Sequence, residues 1–107
     1  MQTIHTPDHW KMFYYSNLGT DVTYKIIVSW DEHETNGSAY RTSDTITRIQ
    51  ETPSSFVITD RCLDVYMCDK TKYTITPQVQ KVLDYMISDG PHLWVREVPF
   101  ADIRASE

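Results

Sequence analysis

Along residues 22–30 a hydrophobic side chain recurs at every second position. Val22, Tyr24, Ile26, Val28 and Trp30 share one parity, with Thr23, Lys25 and Ser29 between them. Side chains two apart on a strand point to the same face, so this pattern predicts a β-strand with one side buried. Ile27 alone breaks the alternation and is expected as an isolated apolar residue on the solvent face.

The flanking segments extend this picture. Trp10, Met12, Phe13, Tyr14 and Tyr15 crowd into His9–Ser16, and their aromatic weight favours a strand, with a short amphipathic helix opened by Pro7-Asp8 as the alternative. The turn cluster Asn17–Asp21 then makes the two segments an antiparallel hairpin. Neighbours on a strand face opposite ways. If the even face of 22–30 is buried, one of Tyr14 and Tyr15 must point away from the core. Beyond Trp30, Asn36-Gly37 supplies the two positive-φ positions of a tight hairpin turn. A third strand follows from Ala39 to about Gln50. Its apolar members Tyr40, Ile46 and Ile49 keep no single parity, which implies a bulge or break near Ser43-Asp44.

Short strands at Phe56–Thr59, Val65–Cys68 and Tyr73–Ile75 follow, separated by a turn at 51–55 and a reversal near Leu63-Asp64. One helix is marked clearly. Thr76 can cap it, Pro77 suits its first position, and Val79, Val82, Leu83 and Met86 recur at helical spacing. Gly90-Pro91 ends it, and Leu93–Val98 reads as a last strand. From about Pro99 a frayed tail is expected, in which Phe100 and Ile103 have reason to dock. The fold class is α+β: a curved antiparallel sheet of four to six strands with one C-terminal helix packed on one face, in a single domain spanning 1–107.

Charge narrows the function classes. The 107 residues carry a formal net charge of -5. Residues 1–40 hold two basic residues against five acidic ones, 41–72 are balanced, and 73–107 hold three against five. With no basic stripe to lay against phosphates, direct nucleic-acid binding is not expected. The alternative would be stacking on the meander, with Arg41, Arg48, Lys70 and Lys72 along one side, where five interleaved acids oppose it. No apolar run approaches the ~20 residues that cross a bilayer, and Met1–His9 lacks a basic leader and an apolar stretch. Two cysteines are too few for a disulfide scaffold, so a reducing cytoplasm is the expected compartment.

Candidate chemistry is sparse. Cys62 and Cys68 lack zinc-ligand spacing and are expected as small buried residues. His33 lies among Asp31, Glu32 and Glu34, but on a tight turn these side chains would splay into water. The three glycines are too far apart for a phosphate loop, and no nucleophile elbow is present. No cofactor, metal or catalytic residue is expected. What remains is a surface. Asp31, Glu32 and Glu34 form an acidic hairpin tip suited to a basic partner, although such charges also serve solubility alone. Tyr14, Tyr15 and Trp94 are the aromatics hardest to place in a core, and exposed Tyr and Trp favour interface anchors. The expectation is therefore a stoichiometric binding module that occupies a partner protein's basic surface, such as an inhibitor, an immunity protein or a phage counter-defence protein of the anti-CRISPR kind. A homodimer through an unpaired edge of the meander is also conceivable.

Overall fold

In the computed structural model, residues 3–17, 22–30, 39–88 and 93–105 are described. The long aromatic and β-branched segments pair as the periodicity requires. β2 (His9–Asn17) and β3 (Val22–Trp30) are antiparallel, with Trp10 opposite Val28 and Tyr14 opposite Tyr24. β4 (Ala39–Thr42) joins the far side of β3 and β8 (Leu93–Glu97) the far side of β2, giving the order β4-β3-β2-β8. A second sheet has the order β1-β7-β6-β5, from β1 (Ile4–His5), β7 (Val65–Asp69), β6 (Ser55–Asp60) and β5 (Ile46–Glu51). Its β1–β7 pair is parallel and the rest antiparallel. α1 (Pro77–Ser88) is capped by Thr76, whose Oγ1 accepts the Val79 N–H at 3.4 Å. This is the expected α+β class with its C-terminal helix on a sheet face. The described strands number eight and divide between two sheets.

Two clusters of buried side chains show how the layers stack. Trp10, Met12, Ile26 and Val28 of the first sheet meet Phe56, Ile58, Tyr66 and Cys68 of the second. On the opposite face of the first sheet, Phe13, Ile27 and Val95 meet Val79 and Leu83 of α1, with Ile75 beside them. The first sheet is thus the middle layer. Here the alternation reading needs correction: Ile27 is 0% exposed, because α1 covers the face assigned to solvent. A side chain of that size contributes roughly 2 kcal/mol when fully buried. The even face in turn is open at its start, where Val22 and Tyr24 are exposed.

The irregular third strand is two strands, one in each sheet. The Ser43 N–H donates to the Ile26 carbonyl at 2.9 Å, and its Oγ accepts the Ile26 N–H at 3.0 Å. One residue later the Asp44 N–H turns to the Asp60 carboxylate of β6 at 3.1 Å. The ladder partner changes from β3 to β6 across that step. A register irregularity follows between Ile46 and Arg48.

Aromatic polar tips tie the layers together. Trp10 Nε1 donates to the Asp69 carbonyl at 2.7 Å, bridging the sheets. The Tyr73 hydroxyl accepts the Met12 N–H at 3.0 Å and donates to the Val98 carbonyl, and burial pushes this phenol up to about 12. In the described part of the segment after β8, Phe100–Asp102 forms a 3-10 turn. Phe100 sits within 5.3–6.4 Å of the Tyr73, Phe56 and Trp10 rings, and Ile103 is buried in the intersheet core. Its apolar side chains find a ready cluster of aromatic edges.

Candidate functional site

The residues singled out from sequence separate. Asp31, Glu32 and Glu34, with the Asn36-Gly37 turn, lie outside the described residues, although β3 and β4 pair Trp30 with Ala39 as a reversal there requires. Trp94 pairs with Ser16 in β8, and its side chain lies outside the described residues. Tyr14 and Tyr15 point to opposite faces of the middle sheet, yet neither faces open water. Both faces are covered, so both side chains are half-buried.

Each tyrosine lines a groove. Tyr14 stands beside Tyr24, ring centroids 5.9 Å apart, in an intersheet cleft of about 480 Å³ with Met12, Ile49 and Ile103 at its walls. Tyr15 lies on the helix side with Phe13, Tyr85 and Met86 around a recess of about 250 Å³, and Lys25 Nζ sits 5.3 Å from its ring centroid. Tyr24, Tyr40 and Tyr85, at 45%, 47% and 67% exposed, are tyrosines that sequence reasoning did not single out as exposed. Tyr85 was legible, since it stands off the apolar stripe of α1. Tyr24 was not, because its parity belongs to the buried face.

A polar corner forms where the chain changes sheets. Asp60 is fully buried, and its carboxylate accepts the N–H groups of Asp44, Cys62 and Asp64 at 2.9–3.1 Å and the Tyr66 hydroxyl at 3.4 Å. Arg41 donates to Tyr66 at 3.1 Å and to Asp64 at 2.7 Å, and both contacts raise its pKa. His5 stacks on Tyr66 at 4.8 Å, its Nε2 3.8 Å from Asp64. Cys62 is exposed, contrary to the expectation of a buried thiol, whereas Cys68 is buried. The Cys62 thiol donates to Asp44 at 3.1 Å. That bond, the Thr45 N–H and Arg61 hold Asp44 down to about 2, and the same carboxylate raises the Cys62 pKa. Desolvation raises that of Cys68. Both thiols therefore keep their protons at neutral pH, where a nucleophile needs the thiolate. Each carboxylate of the corner is engaged by an N–H, a hydroxyl, a thiol or a guanidinium, and the cluster fixes the shape of the β6–β7 turn.

No protein-family model, curated protein or solved structure matches the chain.

Among the described residues, no group of three or more His, Cys, Asp or Glu is placed to hold a metal ion, and no helix is long and apolar enough to cross a membrane. Of the four basic residues that a nucleic-acid reading would align, two are held by acids. Arg41 turns between the sheets to Asp64, Lys70 pairs with Glu51 at 2.5 Å, and Arg48 stands on the outer face of the second sheet beside Val57 and Thr59. Lys72 belongs to the single 3-10 turn after β7.

Proposed function

We propose that this protein is a stoichiometric protein-binding module that occupies a basic surface of a partner protein, in the manner of an inhibitor, an immunity protein or an anti-CRISPR-type counter-defence protein. One observation carries the reading: the distribution of charge between the folded layers and their connections. By sequence position, the strands and α1 hold six basic residues against five acids, and the segments between and beyond them hold four against ten. Four ion pairs tie acids to bases: Lys11–Glu97, Arg41–Asp64, Arg61–Asp44 and Lys70–Glu51. The excess of negative charge therefore belongs to the connecting and terminal segments, and three of those ten acids fall within residues 31–34.

A neutral scaffold with a localised negative projection suits steered docking on a positive surface. Tyr24 and Tyr85 add exposed aromatic area of the kind that anchors interfaces. Two unpaired thiols fit a reducing compartment such as the cytoplasm.

The test is affinity capture from the source cell, followed by reconstitution with the captured protein. A single 1:1 partner with a basic patch is expected, released by high salt and lost when Asp31, Glu32 and Glu34 are together replaced by Lys. Retention of the protein on heparin at low salt, or a complex indifferent to the triple replacement, overturns the acidic-docking reading.

A further inference from the structure

The recess on the helix side of the middle sheet is built on two rungs of the ladder. Phe13 of β2 stands opposite Lys25 of β3, and Tyr15 of β2 opposite Val95 of β8. All four side chains share the face that α1 seals elsewhere through Val79 and Leu83. Phe13 and Val95 are buried, so they form the floor, while Tyr85 and Met86 of α1 close one side. The enclosed volume is about 250 Å³.

Charge distinguishes this recess from an ordinary apolar gap. Lys25 is the one charged residue that lines it, and no carboxylate does. The ammonium is held 5.3 Å from the Tyr15 ring centroid by a cation–π contact. On its other side Lys25 borders the polar corner, but the acids there are taken. Arg41 holds Asp64, Arg61 holds Asp44, and three N–H groups fill Asp60. Among the described residues no carboxylate pairs with Lys25, whereas Lys11 and Lys70 each have one. A half-buried ammonium beside apolar walls gains most from an anion brought within reach.

We propose that this recess binds a small aromatic carboxylate, with its ring among Phe13, Tyr15, Tyr85 and Met86 and its carboxylate on the Lys25 ammonium. Each part of the ligand answers a part of the site. Three aromatic side chains and a thioether favour a planar ring. The single ammonium selects an anion, and a cation would meet Lys25 with no acid in the lining to offset it. At about 250 Å³ the recess falls just below the usual range of drug-sized pockets, so it takes one ring and a short acid arm. The site is independent of the docking reading, which rests on charge of the opposite sign, and neither needs the other.

Titration of the full chain with 3-phenylpropionate, read through carbon-13-labelled methionine methyl groups, tests it. The Met86 signal is expected to shift and saturate with a Kd on the order of 1 mM, ordinary for a ligand of this size. Met12 lies in the intersheet core and Met67 on the second sheet, so their signals should stay in place. The neutral 3-phenylpropionamide and the ringless propionate should each bind roughly fivefold more weakly or worse. Lys25→Gln should bring the acid down to the affinity of the amide and leave the amide unchanged. Tyr85→Ala, at an exposed helix position, should weaken both. A Met86 signal unmoved at about 20 mM acid overturns the proposal, because Kd would then lie far above the range expected for a ligand of this size. So does equal affinity of acid and amide in the wild-type chain, or a Lys25→Gln variant that binds the acid as before. Binding of a peptide that ends in phenylalanine, with no binding of the free acid, also overturns it and assigns the recess to the end of a partner chain.

Discussion

Single side chains at the sheet-changing corner carry charge into structure, and Asp44 is the one whose effect can be titrated. The Cys62 thiol, the Thr45 N–H and Arg61 all stabilise its ionised form, so its pKa falls from 3.8 to about 2 on folding. A folded-state pKa below the unfolded one means stability that is fully present above the unfolded value and lost as pH falls through the folded value. Wild type should therefore lose part of its stability between about pH 4 and pH 2 through this group. Asp44→Asn should be less stable at pH 7 and flatter across that window, as read by thermal melts at successive pH values. The same substitution removes the carboxylate that holds the proton on Cys62. Alkylation of Cys62 at pH 8 should then be faster in the variant than in wild type, with Cys68 protected in both by burial. A slower or unchanged Cys62 rate would show that the thiol–carboxylate contact is not kept in solution. None of this was legible beforehand: in sequence Asp44 marked only a bulge or break in the third strand and Asp60 carried no signal, and only the fold brings them together.

At the scale of elements, the middle sheet is decided by what lies on both its faces, and Ile27 is the position that distinguishes a two-sided strand from a one-sided one. A polar residue at an exposed strand position is nearly neutral. At a site sealed between a sheet and a helix it leaves a cavity and an unpaired polar group. Ile27→Ser should therefore cost about 3–4 kcal/mol in urea denaturation and loosen α1 first, visible as faster amide exchange in residues 79–86 than in β6. A loss under about 0.5 kcal/mol would mean that the helix does not seal this face. The sequence did hold a warning. Ile26-Ile27-Val28 is an unbroken apolar run, the mark of a strand covered on both sides. The pairing of β2 with β3, the helix and its Thr76 cap were legible because their signals are local. The lost parity around Ser43-Asp44 correctly located an irregularity, but a change of sheet is a tertiary event that no local period encodes. The docking of Ile103 likewise depends on β2, β6 and Tyr73 together, residues far from it in the chain.

For the whole molecule, the separation of charge from packing makes a kinetic prediction that composition alone does not. If the negative potential sits in the connections while the layers are nearly neutral, it acts on partners before contact and hardly at all on the fold. Replacing Asp31, Glu32 and Glu34 by Lys should then leave the midpoint of urea denaturation almost unmoved. The effect should fall on association. Charges that act through solvent are screened over a Debye length of about 8 Å at physiological ionic strength, so salt lowers the encounter rate and leaves short-range contacts intact. The wild-type association rate constant with the captured partner should drop by at least roughly tenfold between about 20 mM and about 500 mM salt, with a much smaller change in dissociation. In the triple variant that slope should flatten or reverse sign, because the steering charge has changed sign. Stopped-flow kinetics at several salt concentrations separates these cases. A wild-type association rate indifferent to salt would remove electrostatic steering from the account, and with it the reason for the acidic run at the end of β3.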